Sequence, residues 1–60
     1  MLNFYFTITF YVDGRMMLEH ASYVVREFMS VKAWRQVMDY AIARYGSYLR
    51  EVELHHISSI

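Results

Sequence analysis

Residues 2–12, Leu-Asn-Phe-Tyr-Phe-Thr-Ile-Thr-Phe-Tyr-Val, constrain the fold more than any other stretch of the chain. With a side-chain period of two, Phe4, Phe6, Ile8, Phe10 and Val12 share one face of an extended strand. Tyr5, Thr7, Thr9 and Tyr11 share the other. Nearly every position is aromatic or β-branched, the types that strands favour, and Asp13-Gly14 follows at once as a hairpin signal. Neither face is suited to water. A short chain with one helix covers one of them, so the tyrosine face calls for a partner.

Sixty residues make one small domain, expected to span 1–60. A chain of that size buries only about 60% of the surface its unfolded form exposes. The usual reinforcements are missing: there is no Cys for a disulfide or a thiolate metal site, and three His are few for a structural metal. Dense apolar packing or oligomerisation remains, and a composition 57% hydrophobic and 18% aromatic suits both. Six basic side chains against six acidic ones leave a net charge of zero. That balance argues against a nucleic-acid partner, for which a basic footprint supplies most of the affinity, and equally against an acidic mimic of DNA or RNA. The lack of Cys fits a reducing compartment. Residues 2–12 are too short for a transmembrane helix and follow no basic n-region, so a cytoplasmic protein without membrane association is expected.

Pro is absent, and Gly14 and Gly46 are the only clear punctuation. Arg15 to Met29 reads as a returning stretch with a strand near 16–28, strongest at Tyr23-Val24-Val25; Met16 to Ala21 alone suits helix or strand. A two-residue turn sets Phe10 against Met17, Ile8 against Glu19 and Phe6 against Ala21. The carboxylate opposite Ile8 calls for a longer loop or a bulge near Glu19. Ser30 reads as a helix N-cap, with Met29 stapled against Trp34. A helix near 31–45 carries the apolar stripe Val31, Trp34, Val37, Met38, Ala41, Ile42 and Tyr45, opposite Lys32, Arg35, Gln36 and Asp39. Arg44 suits the C-terminal dipole and Gly46 a left-handed cap. A last strand near 49–57 points Val52 and Leu54 inward and Glu51, Glu53 and His55 outward, leaving Ser58-Ser59-Ile60 as a frayed tail.

The order strand, strand, helix, strand predicts an α+β fold of ββαβ type. A three-stranded antiparallel sheet of order 2-1-3 carries one helix packed on one face. The expected core is Phe6, Ile8, Phe10, Trp34, Val37, Met38, Ala41, Val52 and Leu54. Trp34, mid-stripe, reads first as core and second as a binding anchor.

Chemistry-bearing constellations are sparse. His55 and His56, adjacent on a regular strand, point to opposite faces and cannot hold one ion together. His20 approaches His55 and Glu53 only if the register allows. No serine sits in a nucleophile elbow, and the two glycines are too far apart for a phosphate loop. Glu51 and Glu53 share a strand face as paired acids would, yet edge strands carry such residues to stay soluble. Lys32, Arg35 and Arg44 read as the solvated side of an amphipathic helix. No catalytic, cofactor-binding or metal-ligating residue is assigned. The row Tyr5, Thr7, Thr9 and Tyr11 is the candidate protein-binding site. It is similar in type to the stacking platform of an RNA-binding sheet, although Glu51 and Glu53 on the neighbouring strand repel phosphate.

Tyr23-Val24-Val25, Ser30, Ala41, Tyr45-Gly46 and Val52-Glu53-Leu54, in that order, resemble the small strand–strand–helix–strand proteins of tailed bacteriophages over residues 15–57. The resemblance implies a binder, since some of those proteins bind and inhibit host enzymes such as RNA polymerase or CRISPR effector complexes. It transfers no functional residue, and the zero net charge departs from the strongly acidic members that imitate DNA. The expectation is a non-enzymatic protein-interaction module, a phage or mobile-element accessory protein acting on a host protein. It is expected to self-associate as a homodimer through Tyr5, Thr7, Thr9 and Tyr11. The alternative is a small RNA- or single-strand-binding module that uses Tyr5 and Tyr11. After the sheet face, the helix surface around Lys32, Arg35 and Tyr40 is the next candidate.

Overall fold

The computed structural model describes residues 1–60. The chain forms β1 (Leu2–Val12), β2 (Arg15–Val25), α1 (Ser30–Tyr45), a 3₁₀ turn (Gly46–Tyr48) and β3 (Leu49–Ser59). The sheet order is β2-β1-β3 with both pairings antiparallel, and α1 packs on one face, which is the expected ββαβ architecture.

Asp13 (φ +51°) and Gly14 (φ +75°) both occupy positive φ, the signature of a type I′ turn. The register it sets runs unbroken from Val12↔Arg15 to Leu2↔Val25. Glu19 therefore does face Ile8, with neither a longer loop nor a bulge in β2. The expected distortion is unnecessary because the carboxylate finds partners on the helix side: it accepts a hydrogen bond from the Tyr45 hydroxyl and lies 3.7 Å from Arg44.

The irregularities lie in β3 instead. Register shifts between Tyr5/Phe6 and Thr9/Phe10 leave His55 and Arg50 as extra residues on that strand. The expected frayed tail is also part of β3. Ser58 and Ser59 pair with Asn3 and Leu2, and the Ile60 amide donates to the Met1 carbonyl at 3.0 Å.

β2 ends at Val25, short of the expected residue 28. Beyond it the Glu27 carboxylate accepts the backbone N–H groups of Phe28 (2.9 Å) and Met29 (3.3 Å), which turns the chain towards the helix. Ser30 is the first helical residue rather than the N-cap. Met29 holds the cap position without a side-chain hydrogen bond, and its exposed side chain is no staple. At the other end Gly46 (φ +56°) donates its N–H to the Ile42 carbonyl, a backbone conformation that glycine adopts freely.

The buried core is Phe4, Phe6 and Ile8 of β1, Val25 of β2, and Ala33, Val37 and Ala41 of α1. The seam of α1 is thus Ala33-Val37-Ala41, rotated away from the expected stripe, and Val31 and Ile42 are exposed. Two aromatic pairs fix that rotation: Tyr40 stacks on Tyr23 (centroids 4.9 Å) and Tyr45 on Phe10 (4.2 Å). Trp34 packs half-buried against Phe4 (5.9 Å) and edge-on to Phe6 (6.4 Å). Phe10 and Val52 pack partly buried against the core, and Met38 is half-buried. Leu54 faces Phe6 on the outer strand yet stays 41% exposed, because the rotated helix does not cover it.

Candidate functional site

The face of the sheet opposite α1 carries the candidate residues, since β1 alternates strictly and Phe4, Phe6 and Ile8 point to the core. Tyr5, Thr7, Thr9 and Tyr11 do lie together on this face. They are not a bare row, however. Thr7 is only 8% exposed, because His20 from β2 and His55 from β3 close over it. Its Oγ1 lies 3.1 Å from His20 Nδ1 and 2.5 Å from His55 Nε2. One hydroxyl has one proton, so it donates to one imidazole and accepts from the other. The Tyr5 ring stacks on His56 (5.9 Å, 27°) and its hydroxyl accepts a hydrogen bond from Asn3 Nδ2 at 2.9 Å. The Arg50 guanidinium sits 5.1 Å from the centre of the Tyr11 ring.

His55 and His56 both belong to this face, against the expectation that adjacent strand residues diverge. The bulge is the reason: Leu54 and Ile57 pair with Phe6 and Phe4 on the helix side, and both histidines lie between them. All three histidines of the chain consequently gather around Thr7 and Tyr5. Glu53 lies 4.0 Å from His55 Nδ1. No group of three or more His, Cys, Asp or Glu is arranged to hold a metal ion.

The face divides along β1. On the β3 side it is polar, with Glu51 and Glu53 opposite Thr9 and Thr7. On the β2 side Met16 (63% exposed) lies opposite Tyr11, Leu18 (64%) opposite Thr9, and Val24 (50%) opposite Asn3. These three apolar residues escaped the sequence analysis. The signal was available: the register that sets Phe10 against Met17 also sets Met16, Leu18 and Val24 on the tyrosine side. A shallow groove of about 250 Å³ lies between α1 and β3, lined by Val31, Trp34, Leu54 and Ile57 over Phe4.

No protein-family model, no curated protein and no solved structure matches the chain at a significant level. No helix is long and apolar enough to cross a membrane.

Proposed function

We propose that the chain is a non-enzymatic protein-interaction module that binds protein through the open face of its sheet. The binding half is formed by Tyr5, Thr9 and Tyr11 of β1 with Met16, Leu18 and Val24 of β2. One observation carries this reading: Met16 and Leu18 stand more than 60% exposed beside Tyr11 on a face that no element covers. Exposed apolar side chains beside a tyrosine, with polar residues around them, have the composition of a protein interface.

The polar half supports a protein partner over RNA, because Glu51 and Glu53 would meet the phosphates of any strand stacked on Tyr5 and Tyr11. The sealed position of Thr7 supports a binder over an enzyme. The one hydroxyl flanked by imidazoles lies beneath them rather than open to a substrate. The strand–strand–helix–strand pattern adds to this reading a phage or mobile-element accessory role, binding and inhibiting a host protein in the cytoplasm.

A Tyr5→Glu, Leu18→Glu double variant tests the face. Association is expected to be lost while the circular dichroism spectrum stays that of the parent. Association that survives both charges would sink the reading.

A further inference from the structure

We infer that a second copy of the chain joins the first edge to edge through β2, in an antiparallel pairing that continues the sheet across both copies. The inference goes beyond the open-face reading: it concerns the backbone edge of β2 and leaves the tyrosine face free for another partner. Val12 and Arg15 flank a two-residue type I′ loop and so form a narrow, doubly hydrogen-bonded pair. Along the unbroken register every second pair is narrow too, including Ile8↔Glu19 and Phe6↔Ala21. Met16, Leu18, His20, Ser22 and Val24 lie between these pairs and direct their N–H and C=O groups away from β1. They are the free edge, and their side chains are those on the open face.

Apart from Arg15 at its start and the inward-facing Glu19, this edge lacks the devices that keep strands from pairing. It is 11 residues long, without Pro, Lys or a bulge. The opposite edge, β3, is interrupted by two bulges and carries Arg50, Glu51 and Glu53. Between Arg15 and Arg26 the one formal charge is Glu19, and it points to the helix side, where Tyr45 and Arg44 engage it.

Charge and shape select a second copy as the occupant. A twofold axis at Ala21 sets Leu18 against Val24 of the second copy, His20 against its Ser22, and Met17 against its Val25. Glu19 meets Tyr23 of the second copy, so no like charges oppose each other. Four narrow pairs supply about eight backbone hydrogen bonds. A chain with only seven buried apolar residues gains stability from such a contact by mass action.

Light scattering joined to residue-resolved amide exchange tests the inference on the unaltered chain. A dimer is expected in which the amides of Leu18, His20, Ser22 and Val24 are protected and lose that protection on dilution. Ser22→Pro, which removes only an outward N–H and is tolerated on an edge strand, is expected to give a folded monomer. Tyr5→Glu with Tyr11→Glu is expected to leave the dimer intact. A dimer whose β2 amides exchange freely, and which the two tyrosine substitutions dissolve, overturns edge pairing in favour of face-to-face stacking and leaves the open-face reading standing. A chain that is monomeric at every concentration overturns the second copy as partner; the Tyr5→Glu, Leu18→Glu variant then judges the face by itself.

Discussion

The Tyr45 hydroxyl, at the last residue of α1, donates its hydrogen bond to the Glu19 carboxylate in the middle of β2. This single contact explains how an acid sits directly opposite Ile8 without distorting the hairpin. Arg44 completes the arrangement, 3.7 Å from Glu19 and within 3.4 Å of the Tyr40 hydroxyl. The carboxylate thus ties the C-terminal turn of the helix to the second strand.

Tyr45→Phe removes the hydroxyl and keeps the ring stacked on Phe10. The lost hydrogen bond is expected to cost about 1 kcal/mol, because Glu19 keeps Arg44 and some access to water. For a domain of this length that lowers the melting temperature by roughly 4–8 °C. An unchanged melting curve would show that the contact contributes nothing.

The same tyrosine makes stability sensitive to alkali. Burial and the hydrogen bond to Glu19 raise the Tyr45 phenol above the usual tyrosine range, with Arg44 opposing them. In the unfolded chain a tyrosine ionises near pH 10, roughly, so above that pH the unfolded state has lost a proton that the folded state retains. Stability from this group is therefore full below about pH 10 and is lost as pH rises through the higher folded value. Urea midpoints measured from neutral to strongly alkaline pH are expected to fall more steeply for the parent than for Tyr45→Phe. Parallel curves would contradict the assignment.

Gly14→Ala tests the turn that fixes the register. The added methyl meets nothing within 4 Å, so any cost is purely one of backbone conformation at φ +75°. A left-handed alanine costs on the order of 1–2 kcal/mol, and that loss is expected in chemical denaturation with the strand pairing retained.

Thr7→Val keeps the shape at the centre of the open face and deletes the hydroxyl shared by His20 and His55. Both imidazoles lie near enough to the surface to turn to water, so the stability change is expected to stay within about 1 kcal/mol. The informative readout is the ring nitrogen spectrum. The ¹⁵N shifts of His20 and His55 should move towards those of free tautomer exchange, and those of His56, which stacks on Tyr5, should not.

The architecture was legible in the sequence because its signals are local. The alternation of residues 2–12, the Asp13-Gly14 turn and Gly46 each act through backbone geometry within a few residues. What escaped depends on contacts between distant segments. Glu19 looks misplaced until Tyr45, 26 positions away, is brought beside it. The rotation of α1 follows from Tyr40 meeting Tyr23, which no helical wheel contains. Of the candidate face, the tyrosine row was readable from parity alone, whereas the joint presence of His55 and His56 required a bulge that their sequence does not announce. The positions of Met16, Leu18 and Val24 follow from the same parity once the Asp13-Gly14 turn sets the register of β2.

The two bulges of β3 also bear on where the proposed edge pairing would end. A molecule with two open, regular edges has no natural stoichiometry, since each added copy offers the next one a fresh template. Here the strand that carries Arg50 and His55 as supernumerary residues offers none. On the proposed pairing through β2, the one usable edge of each copy is taken, which would end the particle at two chains instead of lengthening it into a ribbon.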